Sequence, residues 1–103
     1  MQDLSEIRKR IDAIDTQICD LFSRRMQCTH EVAEYKRANN KPVLDRGRER
    51  AKLADVASKV PEPLRDYSQV LFNLIMEISR AQQSAENNQD SPLAGQIARA
   101  VSD

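Results

Sequence analysis

The chain is expected to fold as an all-α protein of three helices, and three observations point there. An apolar repeat at alternating steps of three and four residues runs through Leu4, Ile7, Ile11, Ile14, Ile18, Leu21, Arg25, Cys28, Val32 and Tyr35, with Arg25 its one charged member. That spacing is one face of a single long helix. Leu, Ile, Ala, Arg, Lys, Glu and Gln dominate the composition, whereas two glycines, four prolines and four aromatic residues leave little material for sheets and hairpins. The third observation is the punctuation: Asn39, Asn40 and Pro42 form one break, and Pro61 and Pro63 another.

Helix 1 starts at Asp3 or Ser5, with Ser5 suited to cap it and Glu6 favourable in the first turn. It ends at Asn39 and Asn40, which tolerate the left-handed conformation, because Pro42 disfavours helical geometry at Lys41. Such a helix is on the order of 50 Å long at 1.5 Å per residue, against roughly 26 Å for the diameter of a compact domain of this length. A second copy of the chain is the simplest cover for its apolar stripe. Asp45 caps helix 2, expected from about Arg46 to Lys59, with Glu49, Leu53, Val56 and Val60 on one face and Gly47 an awkward choice in the first turn. Helix 3 is expected over residues 64–85, with Leu71, Leu74, Ile75 and Ile78 as its apolar face. An adjoining stripe turns polar at Ser79 and Gln83. Residues 1–86 thus read as one helical domain. Residues 87–103 read as a loosely attached, flexible tail with one short amphipathic piece, 93–101.

With 103 residues there is room for one domain and a small core, and sixteen basic residues balance sixteen acidic ones. No global field draws nucleic acid or an anionic membrane, so any anion site must be a local concentration of charge. No apolar run reaches transmembrane length and no secretion signal is visible at Met1, Gln2 and Asp3, which points to a cytoplasmic protein. Cys19 and Cys28, nine apart on one helix, have neither disulfide nor metal spacing and read as reduced packing residues. His30 falls off the apolar stripe and reads as a solvated surface imidazole.

Eight polar residues stand out: Arg8, Arg25, Lys36, Asp45, Arg48, Glu49, Ser79 and Gln83. Most have an ordinary explanation. Arg8 reads as a surface arginine with a snorkelling stem, Lys36 as a complement to the helix C-terminus, and Asp45 as a cap. Arg48 and Glu49 read as exposed charges, Ser79 and Gln83 as solvent-facing. Arg25 resists, because a guanidinium inside an apolar register needs an anionic partner; pairing with Glu49 and binding of a ligand both remain open. Lys36 lies about 16 Å along the helix from Arg25, and Arg8 about 25 Å the other way. Antiparallel pairing of two such helices would bring Arg8 of one toward the Arg25 and Lys36 half of the other.

The order and spacing of five runs resemble the all-helical class of chorismate mutase, three-helix chains that form intertwined homodimers. The runs are LSEIRKRIDAID (4–15), RRM (24–26), EYK (34–36), KPVLDRGRER (41–50) and ISRAQQ (78–83). The resemblance implies an isomerase of the shikimate pathway for phenylalanine and tyrosine, converting the chorismate dianion to prephenate by a unimolecular Claisen rearrangement without cofactor or metal. It implies that Arg8, donated by the other subunit, and Arg25 clamp the two carboxylates, with Arg48 positioning the substrate. Lys36 and Gln83 would donate to the ether oxygen as charge develops there. Glu49 and the backbone near Asp45 would receive the ring hydroxyl, and Asp45 and Ser79 would orient neighbours or touch substrate. Two other readings remain: an isochorismate-pyruvate lyase of related fold, against which Asp45 and Glu49 argue, and a non-catalytic helical dimerisation module.

Overall fold

Asp3 opens the first helix, accepting the Glu6 amide on its carboxylate at 2.9 Å and so satisfying one of the orphan donors of the first turn. Ser5 lies inside the helix. This computed structural model describes residues 3–87 and 92–102. Helix α1 spans Leu4–Ala38. It closes on a Schellman motif: Asn40 turns left-handed at φ 53°, and the Lys41 amide reaches back to the Lys36 carbonyl at 2.8 Å. Asparagine at that position has the local reason the sequence suggested.

Asp45 caps α2, Arg46–Ser58, by taking the Arg48 amide at 3.0 Å. Gly47 tolerates a side chain, because an added Cβ would meet the Asp45 carboxylate at an ordinary 3.7 Å. Gly47→Ala is therefore expected to raise stability by about 0.5 kcal/mol through the unfolded chain, seen as a higher melting temperature with unchanged helix content. Pro61 stops the chain from continuing α2, and a 3-10 turn over Glu62–Leu64 leads into α3, Arg65–Glu86. Beyond it the structure adds α4, Pro92–Ser102, lying against α3. The stretch read as a loose tail thus carries a fourth helix, while residues 88–91 and 103 lie outside the described residues.

Helix α3 is the hub, since α1, α2 and α4 all pack on it. Its buried residues include Met76 together with Ser68, Ser79, Ala81, Gln83 and Ser84, so the stripe that looked polar in sequence faces inward. Leu71 and Leu74, on the stripe that looked like a core face, are about half exposed. Along α1 the stripe for which a second copy was the expected cover is open on the single chain. Thr29 and Ala33 are buried near its C-terminal end, while Leu4, Ile11, Ile14, Ile18 and Leu21 stand 48–57 % exposed along the N-terminal half. The chain measures 56 × 36 × 21 Å, and its long dimension is about the length of α1. No helix among the described residues is long and apolar enough to cross a membrane.

Candidate active site

The C-terminal half of α1, the loop after it, the length of α2 and α3 from Phe72 onward line a cavity of about 450 Å³. Seven of the eight residues singled out in sequence line it: Arg25 and Lys36 from α1, Asp45, Arg48 and Glu49 from the loop and α2, Ser79 and Gln83 from α3. Local structure explains the convergence. The Asp45 cap fixes the first turn of α2, which places residues 48 and 49 beside their own helix start. Ser79 and Gln83, four apart, share one face of α3.

Arg25 donates from Nη1 to Ser79 Oγ at 2.6 Å, and that hydroxyl donates onward to the Ile75 carbonyl at 2.9 Å. Of the two readings left open for Arg25, the pairing with Glu49 is not what the fold builds. Glu49 Oε2 instead meets Arg80 Nε at 3.5 Å, which leaves the guanidinium of Arg25 held by a neutral hydroxyl. Burial, and then repulsion from Arg48, lower the pKa of Arg25, against a smaller opposing effect of Cys28.

Lys36 donates to the Val43 carbonyl at 2.6 Å, tying the loop after α1 to the cavity wall. Burial lowers its pKa, and the nearby charges of Asp45 and Glu49 oppose that shift. Gln83 is 7 % exposed, and its amide oxygen has no hydrogen-bond partner. A buried polar group left in this state is costly, and the side-chain oxygens of Gln82 and Asn87 share it.

Arg8 alone is not brought in. It is exposed on the projecting half of α1, and the helix rise puts it about 25 Å from Arg25. In exchange the fold adds residues that sequence reasoning missed. Arg80, Lys52 and Lys59 also line the cavity. Asp55 accepts from Lys59 at 2.9 Å and Lys52 at 3.4 Å, and these bonds hold its carboxyl below the usual range. Arg80 offered in sequence only its place next to Ser79; its contact with Glu49 of α2 comes from the packing. The Val43 carbonyl offered no signal, because backbone groups are anonymous there. Cys28 lines the cavity instead of packing, and Cys19 and Cys28 are both free and exposed. His30 is open to solvent, its side chain 42 % exposed, as the sequence suggested, and it also bridges carboxylates on two helices.

Chemically, several guanidinium and ammonium groups and one buried amide face a common space, with the carboxylates of Asp45, Glu49 and Asp55 also in its lining. Such a cavity suits a compact dianion carrying a hydroxyl group. Comparison with curated proteins and with solved structures finds no match. A family model does match, that of chorismate mutase type II, over residues 7–84. That span takes in every cavity residue named above together with the helices that hold them, and the chain therefore belongs to the chorismate mutase type II family, an all-helical family of isomerases acting on chorismate.

Proposed function

We propose that this cavity holds chorismate in its compact, chair-like conformer and that Lys36 and Gln83 stabilise the ether oxygen as it separates from the ring. The observation that carries this reading is the meeting of half-buried Arg25, Lys36 and buried Gln83 from two helices around one cavity. In the rearrangement the ether C–O bond breaks as a new C–C bond forms within the same molecule. No group leaves and no proton has to be moved by the protein. What remains is orientation and charge stabilisation.

Arg25 takes one substrate carboxylate by its forked donors, and Arg48 helps to position the substrate. Lys36 supplies a full charge at the oxygen and Gln83 a neutral N–H; both interactions strengthen as negative charge accumulates, which lowers the barrier more than it tightens ground-state binding. Glu49 accepts the ring hydroxyl through the oxygen that Arg80 does not engage, and the cap residue Asp45 keeps the backbone around it in place.

The second carboxylate falls to Arg8 of another copy. In this reading two chains pair through the exposed stripe of α1 and the exposed Leu71 and Leu74 of α3, giving two equivalent sites. Mixing tests it. Arg8→Ala and Arg25→Leu homodimers should each be inactive, while unfolding and refolding an equal mixture should restore about a quarter of parental activity, because half the dimers then carry one intact site. Absence of any recovery refutes a site shared between chains.

Loss of chorismate absorbance on adding the protein, with prephenate as the product, tests the reaction itself. Pyruvate from isochorismate without prephenate from chorismate would assign the lyase reaction in its place. Gln83→Leu is expected to lower kcat by at least about tenfold. The same change should leave the melting temperature equal or higher, since it removes a buried acceptor that has no partner.

A further inference from the structure

His30 takes no part in the chemistry above, yet its placement is specific. Its Nε2 lies 3.0 Å from Glu34 Oε1, one turn along α1, and its Nδ1 lies 3.1 Å from Glu86 Oε1 in the last turn of α3. Carboxylate oxygens accept, and a neutral imidazole has a single N–H to give. Holding both contacts at once requires the imidazolium. The second Glu86 oxygen is buried without a hydrogen-bond partner, and Arg37 reaches only the Glu86 backbone carbonyl, at 3.5 Å. Thus His30 supplies the countercharge to a part-buried carboxylate.

The location gives this bridge a consequence. On α1, His30 lies between Arg25 and Lys36; on α3, Glu86 lies one turn past Gln83. Gln82 Nε2 to the Met26 carbonyl at 3.2 Å and Asn87 Nδ2 to the Ala33 carbonyl at 3.0 Å fasten the same two helices, but neither group titrates near neutral pH. We propose that His30 is a positioning residue whose bridge to Glu86 sets the separation between the α1 wall carrying Lys36 and the α3 wall carrying Gln83. The inference rests on the reading that both side chains donate to the ether oxygen, since two donors on opposite walls must meet one atom.

The hydrogen bond and charge of Glu86 raise the His30 pKa above its ordinary value; desolvation opposes them, and the smaller contributions of Glu34 add to the rise. The bridge is complete at pH values below the ordinary histidine pKa and is lost as pH rises through the raised one. Deprotonation breaks one of the two contacts and removes the imidazolium charge beside the Glu86 carboxylate. Among the described residues, the side-chain hydrogen bonds that then still tie the end of α3 to α1 include the neutral ones of Gln82 and Asn87 and that of Arg37.

The test is steady-state kinetics of the full chain on chorismate at about pH 6 and about pH 8.5, on either side of the histidine titration. His30→Ala is expected to lower kcat about fivefold at the lower pH, with KM within about twofold, and to differ less from the parent at the higher pH. His30→Lys, a permanent cation, should keep at both pH values the kcat that the parent shows at the lower one, and Glu86→Gln should remove the pH dependence. In a Gln83→Leu background, His30→Ala should cost nothing further. Parental kcat in His30→Ala at the lower pH overturns the inference, as does an equal loss in the Gln83→Leu background. A Gln83→Leu enzyme of parental kcat would overturn the underlying catalytic reading instead.

Discussion

Lys36→Ala is expected to lower kcat by at least about 10²-fold, the effect of deleting a donor to a developing oxyanion, or about 3 kcal/mol of transition-state stabilisation. The substitution also releases the Val43 carbonyl, to which the ammonium donates at 2.6 Å. That loss is worth only about 1 kcal/mol of stability, so activity should fall far more than the melting temperature. The pH profile supplies an independent readout. The donor is the protonated amine, so kcat/KM declines as pH rises through the Lys36 pKa of the free enzyme. Burial lowers that pKa, so the decline begins below the ordinary lysine value of 10.5. The alanine variant should lack this limb. Near-parental turnover in Lys36→Ala would refute the assigned role.

Arg25→Leu is expected to abolish measurable rearrangement while leaving the fold equally stable or more so. The catalytic half follows from losing the forked donor that holds a substrate carboxylate, a loss of at least about 10²-fold. The stability half follows from the contacts. Arg25 is half-buried, beside Arg48, and its partner is a serine hydroxyl that keeps its own bond to the Ile75 carbonyl after the change. Glu49 keeps Arg80. No buried group is stranded, and a poorly compensated cation is replaced by a residue that suits the helix face. Thermal unfolding and a turnover assay on the same preparation check both halves. A drop in melting temperature of many degrees would mean that Arg25 is a structural residue, and unchanged turnover would leave the cavity without its clamp.

Local rules wrote the helices into the chain. Asp3 and Asp45 as caps, Asn40 as the left-handed residue and Pro61 as the stop each act over a few residues of backbone, so their positions can be read without any neighbour. Periodicity likewise put Ser79 and Gln83 on one face of α3, and the order of the runs gave the family. Which face of each helix turns inward depends on what lies opposite, and no periodicity carries that. The apolar stripe of α1 and Leu71 and Leu74 of α3 remain exposed, whereas Ser79, Gln83 and Ser84 are buried where α3 meets its neighbours. Partner choice is equally non-local. That Arg25 takes Ser79, that Arg80 takes Glu49, and that His30 joins Glu34 to Glu86 are decided by helices more than fifty residues apart in two of the three cases. Spacing along a helix determines which side chains can share a face, but only the packing of one helix on another determines what each of them meets.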